Sequence, residues 1–229
     1  MSNRCHFVNF IKKSFVFSGR FAFLCGLMGV FSLLIFDGGC KKPEGNSPKQ
    51  ANIQELIAQG DAHLNQQQWQ EAIDKYTQAI DAAPDSLQAY YHRAVACLAE
   101  GEEHYNLAKA MAENKAHHDL AQQEVDKADQ RFTQVVEDCK KVTELDANFA
   151  ESFYLQGCVA IYQGGWDHAI ELFTQCLDKS PDYAEAYQRR GEVYQHVGDT
   201  VNSTLDLKKA AELGYTDSTQ TEPEQEKTE

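Results

Sequence analysis

Apolar and small residues recur at helical spacing through the body of the chain. The clearest stretch alternates steps of four and three residues, at Ala121, Val125, Ala128, Phe132, Val135, Cys139 and Val142. Steps of this kind place all of the side chains on one face of a helix. Residues 101–130 contain no proline, have no glycine after Gly101, and are rich in Ala, Glu, Lys and Gln, which favour helix. The pattern predicts an all-α body.

A second pattern repeats over a longer distance and pairs small residues with large ones. It can be followed from Ile53 (Leu56, Gly60, Ala72, Tyr76, Pro84), from Ala150 (Phe153, Gly157, Ala169, Phe173, Pro181) and from Ala184 (Tyr187, Gly191, Ser203, Leu207). Small residues let two helices approach closely, and large ones fill the gaps between successive pairs. The prolines end helices, and Asp85 and Asp182 suit the N-terminal cap of the next helix.

This pattern resembles the tetratricopeptide repeat, a helix–turn–helix unit of about 34 residues. The resemblance implies a right-handed α-α superhelix, a solenoid of about four helix pairs, because one pair cannot bury its apolar face alone. We assign the solenoid to residues 52–217, with repeats at 53–86, 87–149, 150–183 and 184–217.

The second repeat is nearly twice the expected length. It opens normally at Leu87 and closes normally at Val142, so the excess lies near residues 101–130. We predict a helical hairpin that turns near residues 114–118, with both helices running past the solenoid. The alternative is a separate inserted helix, because Gly101 sits where the first helices of later repeats end.

The first 39 residues differ in character from the rest. Basic residues precede an apolar run from Phe21 to Phe36, which is shorter than the about twenty residues of a spanning helix. It fits a signal-peptide core, with the following chain exported. Gly38-Gly39-Cys40 resembles a bacterial lipoprotein signal, in which the cysteine is lipidated, although Asp37 departs from that signal. A lipidated Cys40, a retained N-terminal anchor helix and ordinary secretion remain open. Residues 40–51 are assigned to a linker.

Charge and motif content argue against several function classes. The net charge is −14 and basic residues are scattered, which disfavours nucleic-acid binding. No phosphate loop, nucleophile elbow or paired-histidine metal motif is present, so we predict no enzyme, no cofactor, no metal and no small-molecule substrate. We interpret the His117-His118-Asp119 cluster as a solvated hairpin tip. Residues 218–229 form an acidic tail that we expect to be disordered.

Four cysteines follow Cys40, and three of them occupy packing positions of the repeat. Cys97 and Cys139 belong to facing helices of the second repeat and are the pair that we would test for a disulfide in an exported protein.

The resemblance also implies where a partner would bind. In this family the first helix of each repeat lines a concave groove through its second, fifth, sixth, ninth, twelfth and thirteenth positions. The groove residues predicted here are Tyr91, His92, Val95, Tyr154, Leu155, Cys158, Ile161, Tyr162, Arg189, Glu192 and His196. The family's clamp for C-terminal carboxylates needs Lys, Asn or Arg at certain groove positions. This chain has Ile57, Asp61, His92, Glu151 and Leu155 at those positions, so we do not expect the clamp here.

These observations predict a membrane-tethered scaffold or adaptor that binds a protein or peptide through the groove or the hairpin. The resemblance places it on the periplasmic side of a bacterial membrane. The alternative is a structural subunit that self-associates through the hairpin.

Overall fold

The structure, a computed structural model, describes residues 48–113 and 117–216. These residues form eight helices and no strand: α1 Pro48–Asn65, α2 Trp69–Ala82, α3 Leu87–Ala112, α4 His118–Leu145, α5 Ala150–Tyr162, α6 Trp166–Lys179, α7 Ala184–Val197 and α8 Thr200–Glu212. The predicted signal segment 1–39, Cys40 and the tail 218–229 lie outside the described residues. Residues 48–51, which we assign to the linker, belong to α1.

The helices pack in sequential pairs, α1 with α2, α3 with α4, α5 with α6 and α7 with α8, and each pair packs on the next. The prediction of an all-α solenoid is confirmed. Its core runs the length of the stack as one cluster of buried residues, from Ile57 in α1 to Val193 in α7. The close approach within a pair depends on a missing side chain. A Cβ on Gly157 would lie 2.6 Å from Cε1 of Phe173, so only glycine admits the ring.

Helices α3 and α4 are 26 and 28 residues long, whereas the other six have 13 to 18. Helix α3 continues through Gly101 rather than ending there. A Cβ on Gly101 would lie 2.6 Å from Cε1 of Phe132 in α4, and Ala108, Ala121 and Ala128 are buried beyond this contact. The two helices therefore remain packed together past the level at which the other first helices end.

Helix ends follow local chemistry, with one correction. Helices α2 and α6 end two residues before Pro84 and Pro181, as expected next to proline. The cap of α3, however, is Ser86, whose Oγ accepts a hydrogen bond from the amide of Ala89 at 3.4 Å. Helix α7 follows Tyr183. The prediction that Asp85 and Asp182 cap these helices is wrong, because each lies one residue too early.

Candidate functional site

The first helices of the pairs share one face of the solenoid. Helix α1 contacts α3, α3 contacts α5 and α5 contacts α7, whereas the second helices of successive pairs make at most marginal contact. The stack therefore curves with the first helices on its inner side. We call the side chains that remain accessible there the first-helix face, which comprises Gln54, Asp61, Gln88, Tyr91, His92, Glu151, Glu185, Gln188, Arg189 and Glu192.

At the first junction of this face, one carboxylate oxygen joins two repeats. Oδ1 of Asp61 accepts a hydrogen bond from the hydroxyl of Tyr76 at 2.7 Å and lies 2.7 Å from Nδ1 of His92. Burial, followed by the charge of Asp61, raises the pKa of Tyr76 far above its usual range, so its hydroxyl stays a proton donor. The imidazole of His92 also packs edge-on against the rings of Tyr76 and Tyr91. These contacts hold His92 in one orientation on the face.

Four of the predicted groove residues belong to the core instead. Val95, Tyr154, Leu155 and Cys158 are between 0% and 5% exposed. Each points into the packing between the first helices and their neighbours, because the inner curvature brings these helices together. They cannot contact a partner on this surface, which corrects their assignment to a binding groove. Tyr154 retains a positioning role, since its ring lies 5.2 Å, centre to centre, from that of Tyr183.

Tyr162 has a different environment from the one predicted. Its ring stacks on Phe132 of α4, with centroids 5.0 Å apart and planes 18° from parallel, and meets Tyr105 of α3 edge-on at 5.1 Å. On the opposite side of the hairpin base, the indole nitrogen of Trp69 donates a hydrogen bond to Glu103 at 2.6 Å. Tyr162 therefore helps to fix the long helix pair between the first and third repeats.

The remaining predicted residues belong to the first helices α3, α5 and α7. Tyr91 and His92 in α3 and Arg189 and Glu192 in α7 are partly exposed, and Arg189 donates to Glu192 at 3.1 Å. Ile161 is partly buried against the core. His196 is exposed, and its ring lies 3.9 Å from that of Trp166.

The sequence patterns did not predict two buried arginine–aspartate pairs. Nε and Nη2 of Arg93 bind Asp138 at 2.9 and 2.7 Å, while Nη1 donates to Thr77 of the preceding repeat at 3.1 Å. Burial raises the pKa of Asp138, and the hydrogen bonds from Arg93 oppose that shift. Two-pronged pairing of this kind fixes both position and angle.

The same arrangement recurs two repeats later. Arg190 binds Asp206 through Nε at 2.7 Å and Nη2 at 2.9 Å, and donates to Thr174 through Nη1 at 2.8 Å. Thr77 and Thr174 stand at corresponding positions of their repeats, as do the two arginines. Aligning the first two repeats with the last two would have revealed the pattern, although not the pairing across the insertion.

Other candidate chemistry is sparse in the part of the chain that the structure describes. No group of three metal-ligating side chains occurs there, and His117 and His118 are exposed. Within residues 48–113 and 117–216, no helix combines the length and apolar character needed to cross a membrane.

The four cysteines of the described residues are buried, and none of them is joined in a disulfide. Cys97 lies between the level of Arg93, which pairs with Asp138, and that of Gly101, which contacts Phe132. Cys97 therefore faces α4 closer to the level of Val135 than to the level of Cys139. This offset explains why the thiols of Cys97 and Cys139 are not joined. Burial is the main cause that raises the pKa of Cys97 and of Cys176 to about 12.

Comparisons with known proteins found several chains that are similar to this one. A curated relative, the small glutamine-rich tetratricopeptide repeat-containing protein 2 of Saccharomyces cerevisiae, is 23% identical over 167 residues, which cover 73% of this chain and 39% of the relative. The chain thus spans about two fifths of that protein's length. The Arabidopsis OM64 tetratricopeptide-repeat domain is 19% identical with a TM-score of 0.48, covering 65% of this chain and 98% of that domain. The first such domain of human RPAP3 is 18% identical with a TM-score of 0.49, covering 66% and 97%.

A family model described as the tetratricopeptide repeat matches residues 57–103 and 154–201. The matches begin at corresponding positions of α1 and α5 and end in α3 and α8, so each spans a first helix, a second helix and the start of the next repeat. These two segments of the chain are therefore tetratricopeptide repeats.

Proposed function

We propose that this chain is a protein-interaction scaffold that binds a segment of a partner protein on its first-helix face. The observation that carries the proposal is the way this face is built. Its accessible polar and aromatic side chains are oriented by bonds that cross from one repeat to the next, as between Asp61 and His92. A surface whose side chains are already ordered loses less entropy on binding than a mobile one.

An extended or helical peptide suits this geometry better than a small molecule. The face consists of side chains spread along four successive first helices, and rings such as Tyr91 offer contact area at low entropic cost. The second position of each repeat changes along the face, from Gln54 and Gln88 in the first two repeats to Glu151 and Glu185 in the last two. A bound segment would therefore meet a polar end and an acidic end, which gives it a preferred direction.

Site-specific photo-crosslinking in intact cells tests this proposal. A benzophenone amino acid in place of Gln88, which is exposed on α3, should yield a discrete crosslinked product with a protein. The same group in place of Gln78, which is exposed on α2, serves as the matched control. Equal products from both positions, or none from Gln88, would show that the first-helix face is not the binding surface.

We further propose that the scaffold is tethered to a bacterial membrane and lies on its extracytoplasmic side. The support is the sequence of residues 1–40, where basic residues, an apolar run and Gly38-Gly39-Cys40 follow one another. Two or more acyl chains on Cys40 would give stable anchoring, whereas a single chain binds a bilayer only marginally. Mass spectrometry of the mature N-terminus tests whether Cys40 is lipidated. A chain that starts at an unmodified Met1 would exclude the lipoprotein form.

Self-association through the α3–α4 hairpin is a second candidate function. Leu107 in α3 and Leu120 in α4 are 42% and 50% exposed on the part of the hairpin beyond the solenoid. Light scattering of the full chain in mild detergent should then show a dimer that Leu107→Gln with Leu120→Gln converts to monomer. A monomer at every concentration would eliminate this function while leaving the scaffold proposal intact.

A further inference from the structure

Two successive junctions of the first-helix face repeat one arrangement of aromatic and acidic side chains. The ring of Tyr91 in α3 lies 5.1 Å from that of Phe149, the residue before α5, and Glu151 follows in the first turn of α5. The ring of Tyr154 in α5 lies 5.2 Å from that of Tyr183, the residue before α7. Glu185 then follows in the first turn of α7.

The first junction lacks this arrangement. The corresponding residues there are Ile57, Ser86 and Gln88, none of which is aromatic or acidic. Since all three junctions have the same helix packing to satisfy, packing alone does not require the aromatic and acidic residues. The aromatic–acidic pattern is confined to the face between the second and fourth repeats.

The charges at this end of the face are unbalanced. Burial, followed by the charge of Glu151 and, more weakly, that of Glu185, raises the pKa of Tyr91 well above its ordinary value. Both carboxylates therefore act on the same phenol. Within the described residues, neither carboxylate takes part in a hydrogen bond or ion pair, and the hydroxyl of Tyr91 has no hydrogen-bond partner. Arg189 on α7 is engaged with Glu192 at 3.1 Å and also donates a hydrogen bond to the hydroxyl of Tyr154.

Both glutamates also stand in the first turn of a helix, where a negative charge interacts favourably with the helix dipole. That interaction accounts for an acidic residue at these positions, but not for the pair of aromatic rings, Tyr91 and Phe149, that accompanies Glu151. A cationic donor brought to this place would meet the charges of both carboxylates, each of which acts on Tyr91. A lysine or arginine side chain supplies such donors, and its methylene stem can lie along aromatic rings.

We propose that the junction formed by Tyr91, Phe149, Glu151 and Glu185 binds a lysine- or arginine-bearing segment of the partner protein. This inference rests on the proposed scaffold function and names the chemistry of its partner. The cationic group lies between the two carboxylates, and its stem packs on the rings of Tyr91 and Phe149. The occupant is basic because complementary charge is the property that the chain itself does not supply at this junction.

Binding of three labelled peptides to the full chain tests the inference. The peptides, each about nine residues long, share one Ala/Leu framework and carry Lys, Gln or Glu at the same three or so positions. Fluorescence anisotropy measures their dissociation constants at about 0.05 M and 0.15 M salt. The Lys peptide should bind about tenfold or more tightly than the Gln peptide, and the Glu peptide should bind weakest.

A matched pair of variants separates the junction from general attraction to an acidic protein. Glu151→Gln with Glu185→Gln should weaken binding of the Lys peptide about tenfold. Glu71→Gln with Asp167→Asn removes the same charge from first-turn acids of α2 and α6, both exposed outside the first-helix face, and should change binding less than about twofold. Thermal unfolding of both double variants controls for the helix dipole, which the two pairs share.

Each outcome has one meaning. Equal weakening by the two double variants would show that the attraction is non-specific and would overturn the inference. Preferential binding of the Gln or Glu peptide would overturn it too. In that case a crosslinked protein at Gln88 would leave the scaffold function standing. Absence of both peptide binding and crosslinking would refute the two proposals together.

Discussion

The contact between Gly101 and Phe132 gives the sharpest test of how the long helix pair is built. Gly101 lies inside α3, where alanine would ordinarily stabilise the helix by about 1 kcal/mol. A Cβ there, however, would lie 2.6 Å from Cε1 and 2.9 Å from Cδ1 of Phe132. The ring cannot retreat freely, because it is 1% exposed and stacks on Tyr162. Overpacking of such a site costs about 1–3 kcal/mol, and a contact this short belongs at the upper end.

We therefore expect Gly101→Ala to lower the free energy of unfolding by about 1–2 kcal/mol, the overpacking cost less the gain in helix propensity. Phe132→Ala alone should lower it by about 3–5 kcal/mol, because it empties a buried aromatic site. In the Phe132→Ala background the sign of the first effect should reverse. Gly101→Ala should then stabilise the protein by up to about 1 kcal/mol, because the ring is gone and the closest remaining atom is Cβ of Arg131, 3.3 Å from the new methyl group.

Equilibrium urea unfolding of the full chain, followed by far-ultraviolet circular dichroism, measures all four proteins of this cycle. The coupling free energy between the two sites should be about 2–3 kcal/mol, well above that of independent sites. If Gly101→Ala stabilised the protein equally in both backgrounds, the ring of Phe132 would not lie against Gly101. The packing of α3 on α4 past the solenoid would then be wrong.

Three further predictions concern the buried pairs, the thiols and the last helix. Asp138→Ala should destabilise the protein by about 3–5 kcal/mol in thermal or urea unfolding, because it leaves the buried guanidinium of Arg93 without its carboxylate. Asp206→Ala should cost less, because its pair with Arg190 is more exposed, and equal losses of stability would count against this reasoning. The thiols of Cys97 and Cys176, with pKa values of about 12, should resist alkylation at about pH 8 until the protein unfolds, and rapid labelling of the native protein, detected by mass spectrometry, would contradict their burial. Hydrogen bonds that the carboxylate of Asp199 accepts from the amide and the side chain of Asn202 lower the pKa of Asp199. The stabilisation of α8 by this cap is therefore present above the unfolded-state pKa and is lost as pH falls through the folded-state pKa. A carboxylate titration by NMR between about pH 2 and pH 6 should show the lowered pKa, and an ordinary pKa would refute the cap.

Much of the helical framework could be predicted because its signals are local. Pro84 and Pro181 interrupt helices through their own backbone chemistry, and the small residue at Gly157 together with the ring at Phe173 recurs with the repeat length. The first-helix face could be predicted only in part. Periodicity identifies which positions lie on the inner side of the stack, and Tyr91 and His92 are indeed accessible there.

Periodicity does not reveal how deeply a side chain is covered, because that depends on elements far away in the chain. Tyr154 is buried because the curvature closes α5 against its neighbours, and the ring of Tyr162 is covered by Phe132 from the second repeat's long helix pair. The pairing of Arg93 with Asp138 likewise joins residues on opposite sides of the insertion. The sequence by itself therefore determined the helices, their order and their repeat. The tertiary structure alone decided which of the inner side chains remain exposed and which charges stay unbalanced, since both depend on contacts that only the packed helices create.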